Sequence, residues 1–130
     1  MKIEVSTGEI FDKVTILEIK LMRINFNNET KLKNIKNEYQ KLKFIYDITE
    51  YHTNDELHEL VTQLFNVNLK LWNIEDSIRL LEKNKDFGPL FIELARAVYI
   101  TNDKRAELKR QINKLTNSEL IEEKSYEQYV

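Results

Sequence analysis

The feature that most constrains the fold is a continuous amphipathic pattern over residues 54–84. This stretch contains neither Gly nor Pro, and its apolar residues recur at helical spacing: Leu57, Val61, Leu64, Val67, Leu71, Ile74, Ile78 and Leu81. Such a helix is roughly 45 Å long, whereas a compact domain of this size has a radius of gyration of about 14 Å. The helix therefore runs the length of an elongated bundle or projects into a partner, and both interpretations favour a homo-oligomer.

The second half of this predicted helix carries a polar seam beside its apolar face. At 100° per residue, the members of the seam lie within about 40° of one line; they are Asn68, Trp72, Glu75, Arg79 and Glu82. One interpretation is a charge ladder that fixes helix register or a subunit interface. The other is a site in which Arg79 holds a phosphate or carboxylate while Trp72 stacks on a base.

Composition and helix boundaries predict an all-α fold for a single domain spanning residues 1–130. The chain has only 2 Gly and 1 Pro and is rich in Leu, Ile, Lys, Glu and Asn, so few positions interrupt a helix. Ser6 and Glu9 form a capping box that opens a first helix over about residues 7–25. The alternation of apolar residues over residues 1–5 predicts a short strand before it, which needs a partner strand.

The other predicted helices complete an antiparallel bundle of four to five helices. A second helix covers about residues 29–48 after a polar break at 25–28. A capping box at residues 53–56 opens the long third helix. Pro89 begins a fourth helix, and the run at 101–103 either caps a fifth helix or lies within the fourth.

Charge and residue usage exclude several classes of function. With a net charge of −2, the chain has no general attraction for a nucleic acid polymer or an anionic membrane. With no Cys, it has no disulfide, thiol nucleophile or Cys zinc site, and 2 His are too few for a His-rich metal site. No apolar run approaches the roughly 20 residues that span a bilayer. We therefore expect a cytoplasmic protein without a cofactor, since the first residues lack the pattern of a secretion signal.

A second polar stripe lies in the last predicted helix. Its members, at i, i+3, i+7 and i+11 spacing, are Asn102, Arg105, Lys109 and Asn113, and Arg96 and Tyr99 lie one to two turns before them. Two cations and two amides on one face suit an anionic ligand, although a solvated outer face accounts for them equally well. In the first helix, Glu9 and Asp12 suit the helix dipole, and Lys13 is a further candidate cation.

Paired carboxylates raise a metal-dependent alternative. All-helical nucleoside triphosphate pyrophosphohydrolases bind magnesium through E-x-x-E and E-x-x-D motifs on neighbouring helices. Here Glu56 and Glu59 match the first motif, while only Asn73 and Asp76 approximate the second. Because charged helices often produce such spacings by chance, we predict neither metal ligands nor catalytic residues.

Longer segments carry a resemblance to a known family. TGEIFDKVTILEIK, NVNLKLWNIEDSIR, FIELARAVYITNDKRAELKRQIN and EEKSYEQY resemble an uncharacterised family of short bacterial and phage proteins, over most of the chain. The resemblance supplies no reaction or ligand, and its phage members suggest counter-defence only by analogy. It implies that the family pattern includes Glu9, Asp12, Lys13, Glu18, Lys20, Trp72, Glu75, Asp76, Arg79, Asn102, Asp103, Arg105 and Lys109.

These patterns predict a non-enzymatic protein that binds and sequesters a small anionic ligand of the nucleotide class. The alternatives are a self-associating or adaptor protein, in which Glu75 and Asp76 pair with arginines across subunits, and a magnesium-dependent nucleotide pyrophosphohydrolase. The predicted ligand-binding residues are Lys13, Trp72, Arg79, Arg96, Tyr99, Asn102, Arg105 and Lys109, with Glu9, Asp12, Glu75 and Asp76 supporting them.

Overall fold

The computed structural model describes residues 1–25 and 27–130, and the all-α prediction is confirmed over that part of the chain. The elements are α1 (Thr7–Arg23), α2 (Glu29–Leu42), the single-turn α3 (Ile45–Ile48), α4 (Asp55–Lys83) and α5 (Pro89–Leu115). The predicted N-terminal strand is wrong, because residues 1–5 have no regular secondary structure and no described segment offers them a partner strand. The predicted polar break at 25–28 includes residue 26, which lies outside the described residues.

α1 begins where its cap predicts. The Ser6 hydroxyl accepts a hydrogen bond from the Glu9 backbone N–H at 3.1 Å, which satisfies one of the free amides of the first turn. The Glu9 carboxylate accepts a hydrogen bond from the Lys109 Nζ at 2.6 Å instead of closing the capping box on Ser6. The first turn of α1 is therefore tied to α5.

The second predicted helix is interrupted before its predicted end. α2 ends at Leu42, and the chain then turns so that Ile45 in α3 is buried and the Tyr46 ring packs 5.9 Å from that of Phe11. A straight helix to residue 48 would carry Ile45 and Tyr46 on along the axis of α2, which itself buries no residue fully. Burial of these two side chains is the physical reason for the break.

The long predicted helix is α4, but its cap differs from the prediction. Asn54, not Thr53, is the N-cap residue, and its side-chain oxygen accepts from the Leu57 backbone N–H at 3.1 Å. The Thr53 hydroxyl instead points back to the Glu50 carbonyl at 3.5 Å. Asn ranks at least as high as Thr at this position, so the shift by one residue carries no penalty.

α4 and α5 form an antiparallel hairpin, and α1 lies against both. Pro89 is the first residue of α5, which continues unbroken through Thr101, a buried residue in mid-helix rather than a cap. The core consists of apolar side chains from α1, α3, α4 and α5, among them Phe11, Val14, Ile45, Leu57, Val61, Leu64, Leu108 and Ile112. None of the described helices is long and apolar enough to cross a membrane.

The far end of the hairpin extends beyond this core. Ile74 is the last buried residue of α4, and Thr101 is the first buried residue of α5. Between them, over residues 75–100, every residue is exposed or half-buried. We call this segment the arm.

Tyr46 couples the stability of the fold to alkaline pH. Its hydroxyl donates a hydrogen bond to the Glu18 carboxylate at 2.5 Å. Burial is the largest cause of the raised pKa of Tyr46, and the hydrogen bond to Glu18 is the second. Because the folded-state pKa lies above the unfolded value of about 10, the associated stability is fully present below pH 10 and is lost as the pH rises further. Tyr46→Phe should lower the free energy of unfolding at neutral pH by about 1 kcal/mol and flatten this alkaline loss.

Urea unfolding at a series of pH values measures both effects. The matched control is Tyr126→Phe, because the Tyr126 side chain is exposed. Wild type and this control should lose stability in parallel above pH 10. A Tyr46→Phe protein with the same alkaline slope as wild type would contradict the prediction.

Candidate functional site

A buried carboxylate joins α1 to α4 and α5. Asp12 is 1% exposed, and both of its oxygens accept hydrogen bonds from the Arg105 guanidinium, with Nε of Arg105 at 2.9 Å from Oδ1. Asn68 of α4 donates to the same Oδ1 at 2.9 Å and to the Thr15 hydroxyl at 3.0 Å. A bidentate Arg–carboxylate pair of this kind fixes the geometry of both partners.

Lys109 extends this arrangement towards the C-terminal segment. Its Nζ lies 2.6 Å from Glu9, 3.4 Å from Glu122 and 3.9 Å from Asp12, and the Ser6 hydroxyl donates to the other oxygen of Glu122 at 2.7 Å. Burial opposes the charged form of Lys109, but the hydrogen bond to Glu9 and the neighbouring carboxylates outweigh it, so the pKa of Lys109 is raised. We call Glu9, Asp12, Asn68, Arg105 and Lys109 the Asp12 cluster.

Within the described residues, the Asp12 cluster satisfies its own charges. The hydrogen bond to Asp12 is the main cause of the raised pKa of Arg105, which remains a cation. No buried side-chain nitrogen or oxygen of the described chain lacks a hydrogen-bond partner. With two cations facing Asp12, Glu9 and Glu122, the cluster acts chemically as a clamp between helices, because its carboxylates already occupy the donors that an anion would need.

The predicted site residues divide into two groups. Most of those in α1 and α5 come together, because Lys109 pairs with Glu9 and Arg105 pairs with Asp12. Lys13 also lies 3.9 Å from Glu9. The Asn102 side chain accepts a hydrogen bond from Arg105 at 3.5 Å. The others lie apart from that cluster. Glu75 and Arg79 form a 2.8 Å ion pair with side chains 52% and 79% exposed. Asp76 and Arg96 are exposed, and the Tyr99 ring packs on the Tyr129 ring with centroids 5.3 Å apart.

Trp72 lies in a separate groove between α1, α2 and α4. The groove has a volume of about 580 Å³, which is in the range of small-molecule sites. Its walls combine basic, amide and aliphatic side chains with one carboxylate and the half-buried indole of Trp72: Lys20, Arg23, Ile24, Asn25, Asn28, Lys31, Asn34, Ile35 and Glu38. We call this the Trp72 groove.

The cations of the Trp72 groove differ from those of the Asp12 cluster in their partners. Arg23 donates to the neutral amide of Asn73 at 3.0 Å. Over residues 1–25 and 27–130, no carboxylate lies within ion-pairing distance of Lys20, Arg23 or Lys31. Their positive charge is therefore available to an anion that enters the groove.

Sequence reasoning missed most of the groove. Lys20 belongs to the family pattern and Trp72 to the polar seam, but Arg23 and Lys31 were not among the predicted site residues. Lys20 of α1 and Lys31 of α2 line the same groove because these two helices pack against each other. The periodicity of a single helix carries no signal for a juxtaposition between two helices.

The carboxylate pairs considered for magnesium lie far apart. Glu59 and Asn73 are on the same helix, α4, and a separation of fourteen residues corresponds to roughly 21 Å. The two half-motifs therefore do not face one ion. In the part of the chain that the structure describes, no group of three or more His, Asp or Glu side chains is placed to hold a metal ion.

The comparison with protein families places the chain in a known group. The chain belongs to the Family of unknown function (DUF6165), whose model matches residues 1–130. No curated protein and no solved structure matches it. The family assignment covers both the Asp12 cluster and the Trp72 groove, but it names no ligand or reaction.

Proposed function

We propose that the protein binds a small anionic ligand of the nucleotide class in the Trp72 groove and sequesters it without turnover. The observation that carries this proposal is the meeting of three cations around the only Trp of the chain, namely Lys20, Arg23 and Lys31, none of which pairs with a carboxylate of the described residues. A nucleotide combines the two chemical features that these side chains recognise, namely phosphate charge and a flat aromatic base.

The groove divides into parts suited to each feature. The Arg23 guanidinium offers paired donors for phosphate oxygens, and the two lysine ammonium groups act as point charges. The Trp72 indole, half-buried and open to the groove, offers a stacking surface for a base. The side-chain amides of Asn25, Asn28 and Asn34 add neutral donors and acceptors that can read the edge of a base.

The chemistry of the lining favours binding over reaction. Cationic and amide groups hold phosphate oxygens but do not accept protons at neutral pH, and Glu38 is the only carboxylate that lines the groove among the described residues. The proposal therefore differs from the hydrolase alternative in what happens to the ligand, which should be recovered unchanged.

The site differs in part from the one that the polar stripes predict. Trp72 is common to both, whereas Arg105 and Lys109 are already paired with Asp12, Glu9 and Glu122. A ligand at those two cations must displace a carboxylate of the protein itself, and a ligand at Lys20 or Lys31 need not. The positive charge of Lys20 and Lys31 thus favours the Trp72 groove over the Asp12 cluster as the proposed site for an anion.

A titration with nucleotides tests the proposal directly. The single Trp lies in the groove, so its fluorescence should change when nucleoside mono-, di- or triphosphates, cyclic dinucleotides or nucleotide sugars bind. A ligand at 100 times its dissociation constant should also raise the free energy of unfolding by about 2.7 kcal/mol, which is several degrees in the midpoint of thermal unfolding. Inorganic phosphate serves as a probe of the charge contribution alone.

Two lysines of α2 make a matched pair of variants. Lys31→Gln removes a charge from the groove and should weaken binding about tenfold, the loss expected for a charge-assisted hydrogen bond. Lys36→Gln removes the same charge from the same helix at a position outside the groove and should leave affinity unchanged. Trp72→Leu should weaken the binding of nucleotides more than the binding of inorganic phosphate.

Three results would contradict the proposal. The first is the absence of binding by every nucleotide class in the panel. The second is binding that responds equally to Lys31→Gln and Lys36→Gln. The third is a chemically altered ligand after incubation, which would identify an enzyme.

A further inference from the structure

One carboxylate lies in the otherwise cationic and neutral lining of the Trp72 groove. Glu38 belongs to α2 and is the only acid among the described residues that line the groove. The residue is exposed, and no cation of the described residues lies within ion-pairing distance of it. A carboxylate repels a phosphate, so Glu38 weakens the attraction of the groove for an anion. Phosphate binding alone therefore does not account for an acid at this position.

The face that α2 presents to the groove is basic at one end and acidic at the other. Lys31, Asn34, Ile35 and Glu38 line the groove at the i, i+3, i+4 and i+7 spacing of one helical face. Lys31 lies in the first turn of α2. Glu38 follows it by seven residues, which corresponds to about two turns, or roughly 10 Å along the helix axis. The two charged side chains are therefore placed for different parts of a ligand.

The spacing of these two side chains suits the two ends of a nucleotide. The hydrogen-bonding edge of the base is the part of a nucleotide farthest from the phosphate, and the ribose hydroxyls lie between them. A phosphate held by Lys31 leaves Glu38 two helical turns away. Glu38 is therefore better placed for the edge of the base than for the ribose.

The chemistry of a carboxylate selects one base. An ionised carboxylate has two hydrogen-bond acceptors and no donor. Among the common bases, only guanine has two adjacent donors on its pairing edge, the ring N–H and the 2-amino group. Adenine and cytosine place one amino group beside an acceptor nitrogen, and uracil and thymine place one N–H between two carbonyl oxygens. Only guanine can therefore donate two charge-assisted hydrogen bonds to one carboxylate without setting an acceptor against it.

We infer that the Trp72 groove selects guanine nucleotides, with the Glu38 carboxylate accepting both hydrogen bonds from the pairing edge of guanine. Trp72 stacks on the face of the base, and Lys31 holds the phosphate. The inference rests on the proposed function, because it specifies the ligand of the same groove. It assigns Glu38 the choice between bases and leaves the attraction for phosphate to the cations.

Calorimetric titration of the full-length protein with purine nucleoside monophosphates measures this selection. Guanosine monophosphate should bind about tenfold more tightly than adenosine monophosphate, which is within the discrimination that a bidentate base contact provides. Inosine monophosphate lacks only the 2-amino group of guanine. Its affinity should lie between the other two, because it retains one of the two donors.

Glu38→Gln should exchange the preferred base. The amide has one acceptor and one donor in place of two acceptors, so the variant should lose about tenfold in affinity for guanosine monophosphate. It should gain affinity for xanthosine monophosphate, whose pairing edge has a carbonyl oxygen where guanine has its amino group. Because Glu38 is exposed, the substitution should leave the fold intact.

Two other substitutions in α2 serve as controls. Glu29→Gln makes the same change on the same helix at a position outside the Trp72 groove, and it should leave the base preference unchanged. Lys31→Gln should weaken guanosine and adenosine monophosphates by the same factor, because it acts on the phosphate that both share. The ratio of the two affinities thus separates recognition of the base from attraction of the phosphate.

The possible results separate this inference from the proposed function. Equal affinities for guanosine and adenosine monophosphates would overturn guanine selection while leaving nucleotide binding in place. A guanine preference that survives Glu38→Gln would also overturn it. A smaller effect of Glu38→Gln on 2′-deoxyguanosine monophosphate than on the ribonucleotide would assign Glu38 to the ribose instead. Failure of every nucleotide to bind would overturn both the inference and the proposed function.

Discussion

Replacing Asp12 with Ala is expected to destabilise the fold by about 3–5 kcal/mol, the usual result when one partner of a buried ion pair is removed. The variant leaves the Arg105 guanidinium, with its side chain 31% exposed, facing an emptied carboxylate position. It also deprives Asn68, 5% exposed, of one of its two acceptors. For a domain of this length, the midpoint of thermal unfolding should fall by roughly 10–15 °C.

The matched control is Glu75→Ala, which breaks an Arg–carboxylate pair of similar length on the exposed side of α4. Because water already solvates both of its charges, this pair contributes little, and the midpoint should hardly change. Adding Arg105→Leu to Asp12→Ala should lower the midpoint less than Arg105→Leu does alone, because the guanidinium has then lost its partner already. Equal losses for Asp12→Ala and Glu75→Ala would mean that burial does not strengthen the Asp12 pair.

Helix periodicity predicted the elements that follow one continuous pattern. The pattern over residues 54–84 becomes α4, Ser6 caps α1, and Pro89 begins α5. Periodicity failed where the outcome depends on contacts between distant segments. The residues 1–5 alternate as a strand would, but the fold supplies no edge for them, and α2 ends early because Ile45 and Tyr46 pack on α1.

The candidate site shows the same division between local and tertiary information. Polar spacing on the last helix identified Arg105 and Lys109, which do meet Asp12, a predicted supporting residue of α1. It also grouped Trp72 with Arg79 in one seam, although the helix places the indole in a groove and leaves the guanidinium on the surface. Residues on one line along a long helix face different neighbouring elements at different points of its length, so they need not contribute to one site.

The distribution of paired and unpaired charge distinguishes the Asp12 cluster from the proposed binding groove. In the Asp12 cluster, each cation has a carboxylate partner, and the three helices α1, α4 and α5 are held in one register. In the Trp72 groove, the cations have no such partner among the described residues, and an anion can supply one. The proposal of a ligand in the Trp72 groove therefore rests on charge that the fold leaves unpaired and not on the number of cations alone.

Replacing Gly8 with Ala is expected to destabilise the fold by about 1–3 kcal/mol, although Ala is the better helix former. A Cβ at residue 8 would lie 2.5 Å from the backbone oxygen of Lys109 and 3.0 Å from Oδ1 of Asn113. Neither atom can move aside easily, because Asn113 is 1% exposed and accepts the Gly8 N–H at 2.6 Å. α1 must therefore shift away from α5, which stretches the contacts from Glu9 and Asp12 to Lys109 and Arg105.

The other glycine of the chain is the control that separates this contact from the general effect of a methyl group. At Gly88, the nearest atom to an added Cβ is a side-chain oxygen of Asp86 at 3.2 Å, and the φ of −76° is ordinary for Ala. Reduced freedom of the unfolded chain offsets the poorer N-cap, so Gly88→Ala should change the free energy of unfolding by less than about 0.5 kcal/mol. Chemical denaturation of the two variants measures the difference. If Gly8→Ala is as stable as wild type, α1 and α5 are not in close contact at this point, and the Asp12 cluster must be held together by its ion pairs alone.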